Sequence, residues 1–102
     1  MKLVRNKIPN IIYSTGKTPV YYEAKKPEYE SRLLDKMIEE LEEFRENPCL
    51  EEAADMWEVL ETIYTQWGWK PDEVVAVALH KKKIRGGFDH GIVLVEVKNE
   101  NE

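Results

Sequence analysis

A chain of 102 residues with a net charge of −5 has the size of one small domain. The negative charge excludes a general binder of nucleic-acid polymers or of anionic membranes, because both need a basic surface. Cys49 is the only cysteine, which excludes an intramolecular disulfide, and we interpret it as structural or incidental. No signal-peptide core and no apolar run near the roughly 20 residues of a membrane span is present. We therefore expect a cytoplasmic protein with a single domain, residues 1–102.

The first part of the chain predicts a short helix and a β-prone segment. Pro9 suits the first turn of a helix that ends near Gly16, where glycine is a natural terminator. The segment Val20-Tyr21-Tyr22 is β-prone, and so is the segment from Gly91 to Val97. These two segments can pair into a small two-stranded element that packs on the helices.

The middle of the chain predicts three helices. Apolar residues recur at three- and four-residue steps from Pro27 to Glu46 and again from Leu50 to Trp67. The breaker Asn47-Pro48 separates these two helices, so they are expected to form a helical hairpin. A third helix follows Pro71 and ends at Gly86-Gly87. The predicted fold is therefore mainly α, a hairpin plus a third helix, with the two-stranded element from the chain ends.

Acidic residues cluster on both helices of the predicted hairpin. Antiparallel packing about the Asn47-Pro48 turn puts Glu43 level with Glu52 and Glu40 level with Asp55. Adjacent helix axes are about 8–10 Å apart, so the four carboxylates converge. Crowded anions beside an apolar seam either take up protons or bind a cation. An all-oxygen ligand set favours Mg²⁺, or alternatively Mn²⁺, over Zn²⁺.

A simpler interpretation of the same acidic residues stays open at this point. Glu51, Glu52 and Asp55 begin a predicted helix, where the helix dipole favours anions. The acidic stretch from Glu39 to Glu46 can be a solvated face that pairs with Lys36 and Arg45. On this interpretation the acids keep the helices soluble and bind no metal.

The motifs resemble one enzyme family. The pattern Glu39-Glu40-x-x-Glu43 followed by Glu52-x-x-Asp55 resembles the paired acidic motif of the all-alpha nucleoside triphosphate pyrophosphatases, the MazG-like and phosphoribosyl-ATP pyrophosphohydrolase group. The segments Leu3-Val4-Arg5-Asn6-Lys7-Ile8-Pro9 and Arg85-Gly86-Gly87-Phe88 resemble the flanking motifs of a stand-alone house-cleaning branch. There are two departures. Asn6 stands where relatives usually carry aspartate, and the eight residues between Glu43 and Glu52 are a shorter link than in many members, which suggests a smaller pocket.

The resemblance implies a divalent-metal-dependent pyrophosphohydrolase that converts a nucleoside triphosphate and water into a nucleoside monophosphate and pyrophosphate, and that clears damaged or otherwise non-standard nucleotides. The residues that would carry this chemistry are Glu40, Glu43, Glu52 and Asp55 as metal ligands, Glu39 as the catalytic residue that orients or activates water, and Arg5, Lys7, Lys83 and Arg85 as phosphate contacts. The sequence has no Walker-type glycine-rich loop and no serine–histidine or cysteine–histidine pattern for covalent catalysis.

Two alternative functions remain. The first is phosphoribosyl-ATP pyrophosphohydrolase of histidine synthesis, which performs the same reaction on another substrate. The second is a non-catalytic helical dimer that acts as an interaction module. A small domain has a modest core, and Trp57, Trp67 and Trp69 lie on or beside helices that need a partner. We therefore expect a homodimer or homotetramer.

Overall fold

The computed structural model describes residues 1–99, and this part of the chain contains four helices: α1 (Ile8–Ser14), α2 (Glu28–Glu46), α3 (Leu50–Gln66) and α4 (Pro71–Arg85). The chain divides into two compact units, Met1–Pro71 and Asp72–Glu102. A helix that is long and apolar enough to cross a membrane is absent from residues 1–99. The mainly α prediction is confirmed, and the expectation of one domain stays a prediction.

The helices α2 and α3 form the predicted hairpin and pack against each other. At the end of α2, the backbone N–H of Asn47 donates a hydrogen bond to Glu43 O at 3.0 Å. Pro48 cannot continue the helix because it lacks an N–H. At the open end of the hairpin, Gln66 Nε2 donates a hydrogen bond to Glu30 Oε2 at 3.4 Å. Leu33 of α2 is the one fully buried apolar side chain among residues 1–99, so the hairpin has a small core.

Glycine ends the last two helices, as the sequence predicts. Gly68 follows α3 with φ +83° and Gly86 follows α4 with φ +85°. This left-handed region is easily adopted only by glycine. The acidic residues Glu28 and Glu30 lie in the first turn of α2, where they complement the positive end of the helix dipole.

The predicted two-stranded element is wrong. Neither Val20-Tyr21-Tyr22 nor the segment 91–97 forms a strand, and residues 1–99 contain none. The side chains of Val20 and Ile92 are 97% and 86% exposed. A high β propensity reflects side-chain packing against a neighbouring strand, and without such packing these residues remain in irregular structure.

Residues 1–7 form an irregular N-terminal segment that lies against the hairpin. Lys2 Nζ is 3.3 Å from Glu39 Oε1 of α2, and Arg5 Nη2 is 2.7 Å from Asp55 Oδ1 of α3. The carbonyl oxygen of Met1 accepts a hydrogen bond from Arg32 Nη1 at 3.3 Å. These contacts place basic side chains of the N-terminal segment beside the acidic side of the hairpin.

Candidate metal centre

Two groups of carboxylates meet at Glu40. The first group, Glu39, Glu40 and Glu43, lies on α2, and the second joins Glu40 to Glu52 and Asp55 of α3. In each group every residue offers one oxygen, and these oxygens all lie within 4.8 Å of one another. Spacings of three and four residues put side chains on one helical face, and the short turn of the hairpin brings the acids of α3 to the same level. We call the five residues the acidic cluster.

Glu40 is the buried member of the acidic cluster. Its side chain is 7% exposed, and Oε1 is 3.2 Å from Lys36 Nζ. Within the described residues, the other oxygen, Oε2, is buried without a hydrogen-bond partner, and the same is true of Glu52 Oε2. A buried acceptor that lacks a partner costs about 1–3 kcal/mol. The cluster therefore has unused acceptor capacity on both helices.

The electrostatics of Glu40 favour a neutralising partner. Burial raises the pKa of Glu40, since a desolvated carboxylate loses its hydration, and the neighbouring carboxylates of Glu43 and Asp55 raise it further. The ammonium of Lys36 acts in the opposite direction but does not cancel these effects. A proton or a cation on this group would relieve the remaining repulsion.

Three basic side chains already offset part of the negative charge. Lys36 Nζ lies 3.2 Å from Glu40 and 3.3 Å from Glu39, while Lys2 and Arg5 contact the cluster from the N-terminal segment. Burial acts to raise the pKa of Glu39, but hydrogen bonds from Lys36 and Lys2 outweigh it, so that this pKa lies below its usual value. Glu39 is therefore ionised at neutral pH and held by two ammonium groups.

The donor atoms of the cluster suit a hard divalent cation. Both groups consist of carboxylate oxygens, the ligand type that Mg²⁺ and Mn²⁺ prefer, whereas Zn²⁺ prefers nitrogen and sulfur. The unpaired Oε2 atoms of Glu40 and Glu52 fit such an ion, because a buried carboxylate oxygen without a hydrogen-bond partner is free to coordinate a cation. The residues present therefore fit Mg²⁺ or Mn²⁺.

The structure brings together most of the acids that the sequence analysis proposes. Glu40 meets both Asp55 and Glu52 across the hairpin, while Glu43 joins the group on its own helix. Arg5, expected to contact phosphates, pairs with Asp55, and its role as a phosphate contact stays a prediction. Lys7 stands at the N-terminus of α1 and forms no ion pair with the cluster within residues 1–99.

The remaining proposed phosphate contacts lie in the second unit. Lys83 and Arg85 belong to the last turn of α4, and both are exposed. Cations at this position also complement the negative end of the helix dipole. Their role as phosphate contacts stays a prediction.

Neither Lys36 nor Lys2 is assigned to the candidate metal centre in the sequence analysis. Lys36 precedes Glu39 and Glu40 by three and four residues, a spacing that indicates pairing, and this pairing enters the sequence analysis only in the interpretation of the acids as a solvated face. Lys2 is 37 positions from Glu39, and no sequence pattern indicates that contact. The first contact could have been assigned from spacing, and the second depends on tertiary structure.

Comparison of the chain with protein-family models, with curated proteins and with solved structures gives no match. The resemblance to the MazG-like group stays a prediction from its motifs.

Proposed function

We propose that this chain is a divalent-metal-dependent nucleotide pyrophosphohydrolase that converts a nucleoside triphosphate and water into a nucleoside monophosphate and pyrophosphate. One observation carries the proposal: the buried Glu40, with an unpaired oxygen, meets Glu52 and Asp55 across the hairpin. The motif resemblance supplies the reaction and its house-cleaning role. The expected cytoplasmic location is part of the same proposal.

The proposed metal ligands are the acids that meet at Glu40. Glu40, Glu52 and Asp55 would hold Mg²⁺, with Mn²⁺ as the alternative, and Glu43, from the adjoining group, is proposed as the fourth ligand. When bound, a divalent cation neutralises the phosphates and lowers the pKa of a bound water. Carboxylates from two helices can hold such an ion only while the hairpin is closed, so the fold and the site depend on each other.

In the proposed reaction, a water oxygen bonds to the α-phosphorus, and the bond from that phosphorus to the bridging oxygen breaks. Pyrophosphate leaves with the bridging oxygen, and the protons of the attacking water pass to the product phosphates or to solvent. Glu39 is ionised and can accept a hydrogen bond from the attacking water. Because its pKa is lowered by Lys36 and Lys2, Glu39 is a weak base, and we assign it the orientation of the water rather than proton removal.

Four basic side chains are the proposed phosphate contacts. Arg5 lies within hydrogen-bond distance of Asp55, a proposed metal ligand, so its guanidinium would be available to a phosphate bound at the cluster. Lys7, Lys83 and Arg85 enter the proposal through the motifs alone. Fixed cations stabilise the charge of a transferred phosphoryl group without reorganising during the reaction.

An apolar stripe on the hairpin favours self-association. Leu34, Ile38 and Leu41 are spaced by four and three residues, so they share one side of α2, and they are 48%, 60% and 44% exposed. We propose that a second copy of the chain covers this stripe in a homodimer or homotetramer. The stripe also favours the alternative function, a non-catalytic helical dimer that serves as an interaction module.

Release of pyrophosphate distinguishes the candidates. We expect Mg²⁺-dependent release from at least one member of a panel of standard and damaged nucleoside triphosphates. Turnover of phosphoribosyl-ATP alone would select the histidine-synthesis enzyme instead. A folded, self-associating protein that releases no pyrophosphate from any of these substrates would favour the interaction module.

A further inference from the structure

A cavity of about 520 Å³ lies between the N-terminal segment, the segment 20–24 and the beginning of α2. Its volume is within the range of about 300–1,000 Å³ that is typical of small-molecule sites. No residue of the acidic cluster lines it. The cavity is therefore a feature of the fold that the proposed metal centre does not explain.

Three tyrosines form much of the cavity wall. Tyr21 and Tyr22 come from the segment 20–24, and Tyr29 comes from the first turn of α2. An aromatic ring presents a flat face on which another planar ring can stack. Tyr21 and Tyr22 are 64% and 59% exposed, so ring surface is available to a ligand.

Hydrogen bonds hold one of these tyrosines, Tyr22, in place. The hydroxyl of Tyr22 donates to Glu28 Oε2, which also accepts from Arg32 Nε and Nη2 at 3.2 and 3.1 Å. The hydrogen bond from Tyr22, together with that from Arg32, holds the pKa of Glu28 below its usual value. A side chain that is held before binding loses less conformational freedom when a ligand arrives.

Two cations connect the cavity with the acidic cluster. Lys2 and Arg5 line the cavity, and each also contacts a carboxylate of the cluster, Lys2 through Glu39 at 3.3 Å and Arg5 through Asp55 at 2.7 Å. The cavity and the cluster are therefore neighbours that share a basic boundary. A ligand with a planar ring at one end and phosphates at the other matches this arrangement.

We propose that the cavity holds the base and sugar of the nucleotide substrate, with the base stacked on Tyr21 and Tyr22 and the phosphates directed past Lys2 and Arg5 to the acidic cluster. This inference rests on the proposed function for its substrate class. It assigns recognition of the nucleoside to the segment 20–24, which none of the quoted motifs includes. The tyrosines contact the ring and leave the reacting phosphorus to the cluster, so they are binding residues.

Direct binding of nucleoside monophosphates tests the proposal. Isothermal titration in Mg²⁺ would compare AMP, GMP, CMP, UMP and IMP with ribose 5-phosphate and pyrophosphate, which lack the base. We expect the wild-type chain to bind at least one of these monophosphates more tightly than ribose 5-phosphate. Stacking contributes about 1–3 kcal/mol per base, so Tyr21→Ala and Tyr22→Ala should each weaken monophosphate binding by roughly 5- to 150-fold and leave pyrophosphate binding unchanged.

Two further variants sharpen this test. Tyr13→Ala is the matched control, because Tyr13 is 72% exposed on α1 and does not line the cavity; it should bind like the wild type. Tyr22→Phe keeps the ring but loses the hydrogen bond to Glu28, and it should retain most of the affinity. Wild-type affinity in Tyr21→Ala and Tyr22→Ala, or an equal loss in Tyr13→Ala, would overturn the proposal.

The outcomes separate this inference from the proposed function. Mg²⁺-dependent pyrophosphate release by the wild type, together with unchanged monophosphate binding in the tyrosine variants, would overturn the cavity assignment and leave the hydrolase intact. Tyrosine-dependent monophosphate binding without pyrophosphate release would support the cavity assignment and count against the hydrolase. Failure of the wild type to bind any monophosphate in the panel would overturn the cavity assignment.

Discussion

Arg5 Nη2 donates a hydrogen bond of 2.7 Å to Asp55 Oδ1 and so joins two residues that are fifty positions apart. The contact connects the N-terminal segment to α3 at the acidic cluster. It also raises the pKa of Arg5, chiefly through the hydrogen bond that Arg5 donates to Asp55 and despite an opposing effect of burial. In the proposed enzyme, the guanidinium of Arg5 and the divalent cation compete for the carboxylate of Asp55.

Removal of Arg5 should therefore strengthen metal binding. Both partners of the ion pair are partly exposed, at 57% and 38%, and pairs of this kind contribute about 0.2–1 kcal/mol. Arg5→Gln should lower the dissociation constant for Mg²⁺ by roughly 1.5- to 5-fold in a calorimetric titration. Arg45→Gln removes the same charge from the end of α2, where Arg45 contacts Glu42 and not the cluster. An equal gain in both variants would show that overall charge, and not the contact with Asp55, sets the affinity.

Loss of the Glu52 charge should abolish turnover without unfolding the chain. Glu52→Gln keeps the shape of the side chain but removes one anion from a repulsive cluster. Mutation of a residue that hydrogen-bonds to a metal ligand typically lowers metal affinity or activity 10- to 100-fold, and loss of a ligand itself should have a larger effect. We therefore expect Mg²⁺-dependent pyrophosphate release to fall by more than about 100-fold, with the melting temperature unchanged or higher. Glu51→Gln is the control, because Glu51 is exposed and lies outside the cluster. Unchanged activity in Glu52→Gln would mean that Glu52 is not a ligand.

The stability of the metal-free chain should depend on pH through Glu40. Burial, with added repulsion from Glu43 and Asp55, raises the folded-state pKa of Glu40 above the reference value of 4.5. A raised carboxyl pKa contributes stability that is complete below the unfolded pKa and is lost as the pH rises through the folded pKa. In EDTA, the melting temperature of Glu40→Gln relative to that of the wild type should therefore increase as the pH is raised from 4 to 7.

The control for this pH dependence is Glu42→Gln, an exposed position on the same helix. Its difference from the wild type should change little over the same range. A Glu40→Gln difference that stays constant or shrinks with rising pH would contradict the raised pKa.

The apolar stripe should control the oligomeric state. Ile38→Asp places a charge in the middle of Leu34, Ile38 and Leu41, where a second copy would bury it unpaired. Light scattering after gel filtration should show a dimer or tetramer for the wild type and a monomer for this variant. Ile92→Asp makes the same change at a residue that is 86% exposed and should leave the assembly intact. A monomeric wild type would refute self-association through the stripe.

Residues that block or end a helix made most of the fold predictable. Asn47-Pro48, Gly68 and Pro71 fix where α2, α3 and α4 begin or end, and their effects are local. The β prediction failed at Val20-Tyr21-Tyr22 because strand propensity requires a neighbouring strand, which single-sequence patterns do not locate. The tyrosine-rich segment instead lines a cavity.

The candidate site was predictable to the extent that helix geometry determines it. Spacings of three and four residues placed Glu39, Glu40 and Glu43 on one face, and the short turn brought Glu52 and Asp55 to their level. The contacts of Lys2 and Arg5 with the cluster depend on how the N-terminal segment lies against the hairpin. No local pattern encodes that arrangement, so it could be found only in the structure.

The central claim is that Glu40, Glu52 and Asp55 hold one divalent cation between α2 and α3. Titration of the wild-type chain with Mn²⁺, followed by electron paramagnetic resonance of the free ion, measures this directly. We expect saturable binding that Mg²⁺ displaces, that Glu40→Gln weakens by more than about 10-fold, and that Glu51→Gln leaves unchanged. Binding that is absent, or equally strong in Glu40→Gln and the wild type, would contradict the proposed metal centre.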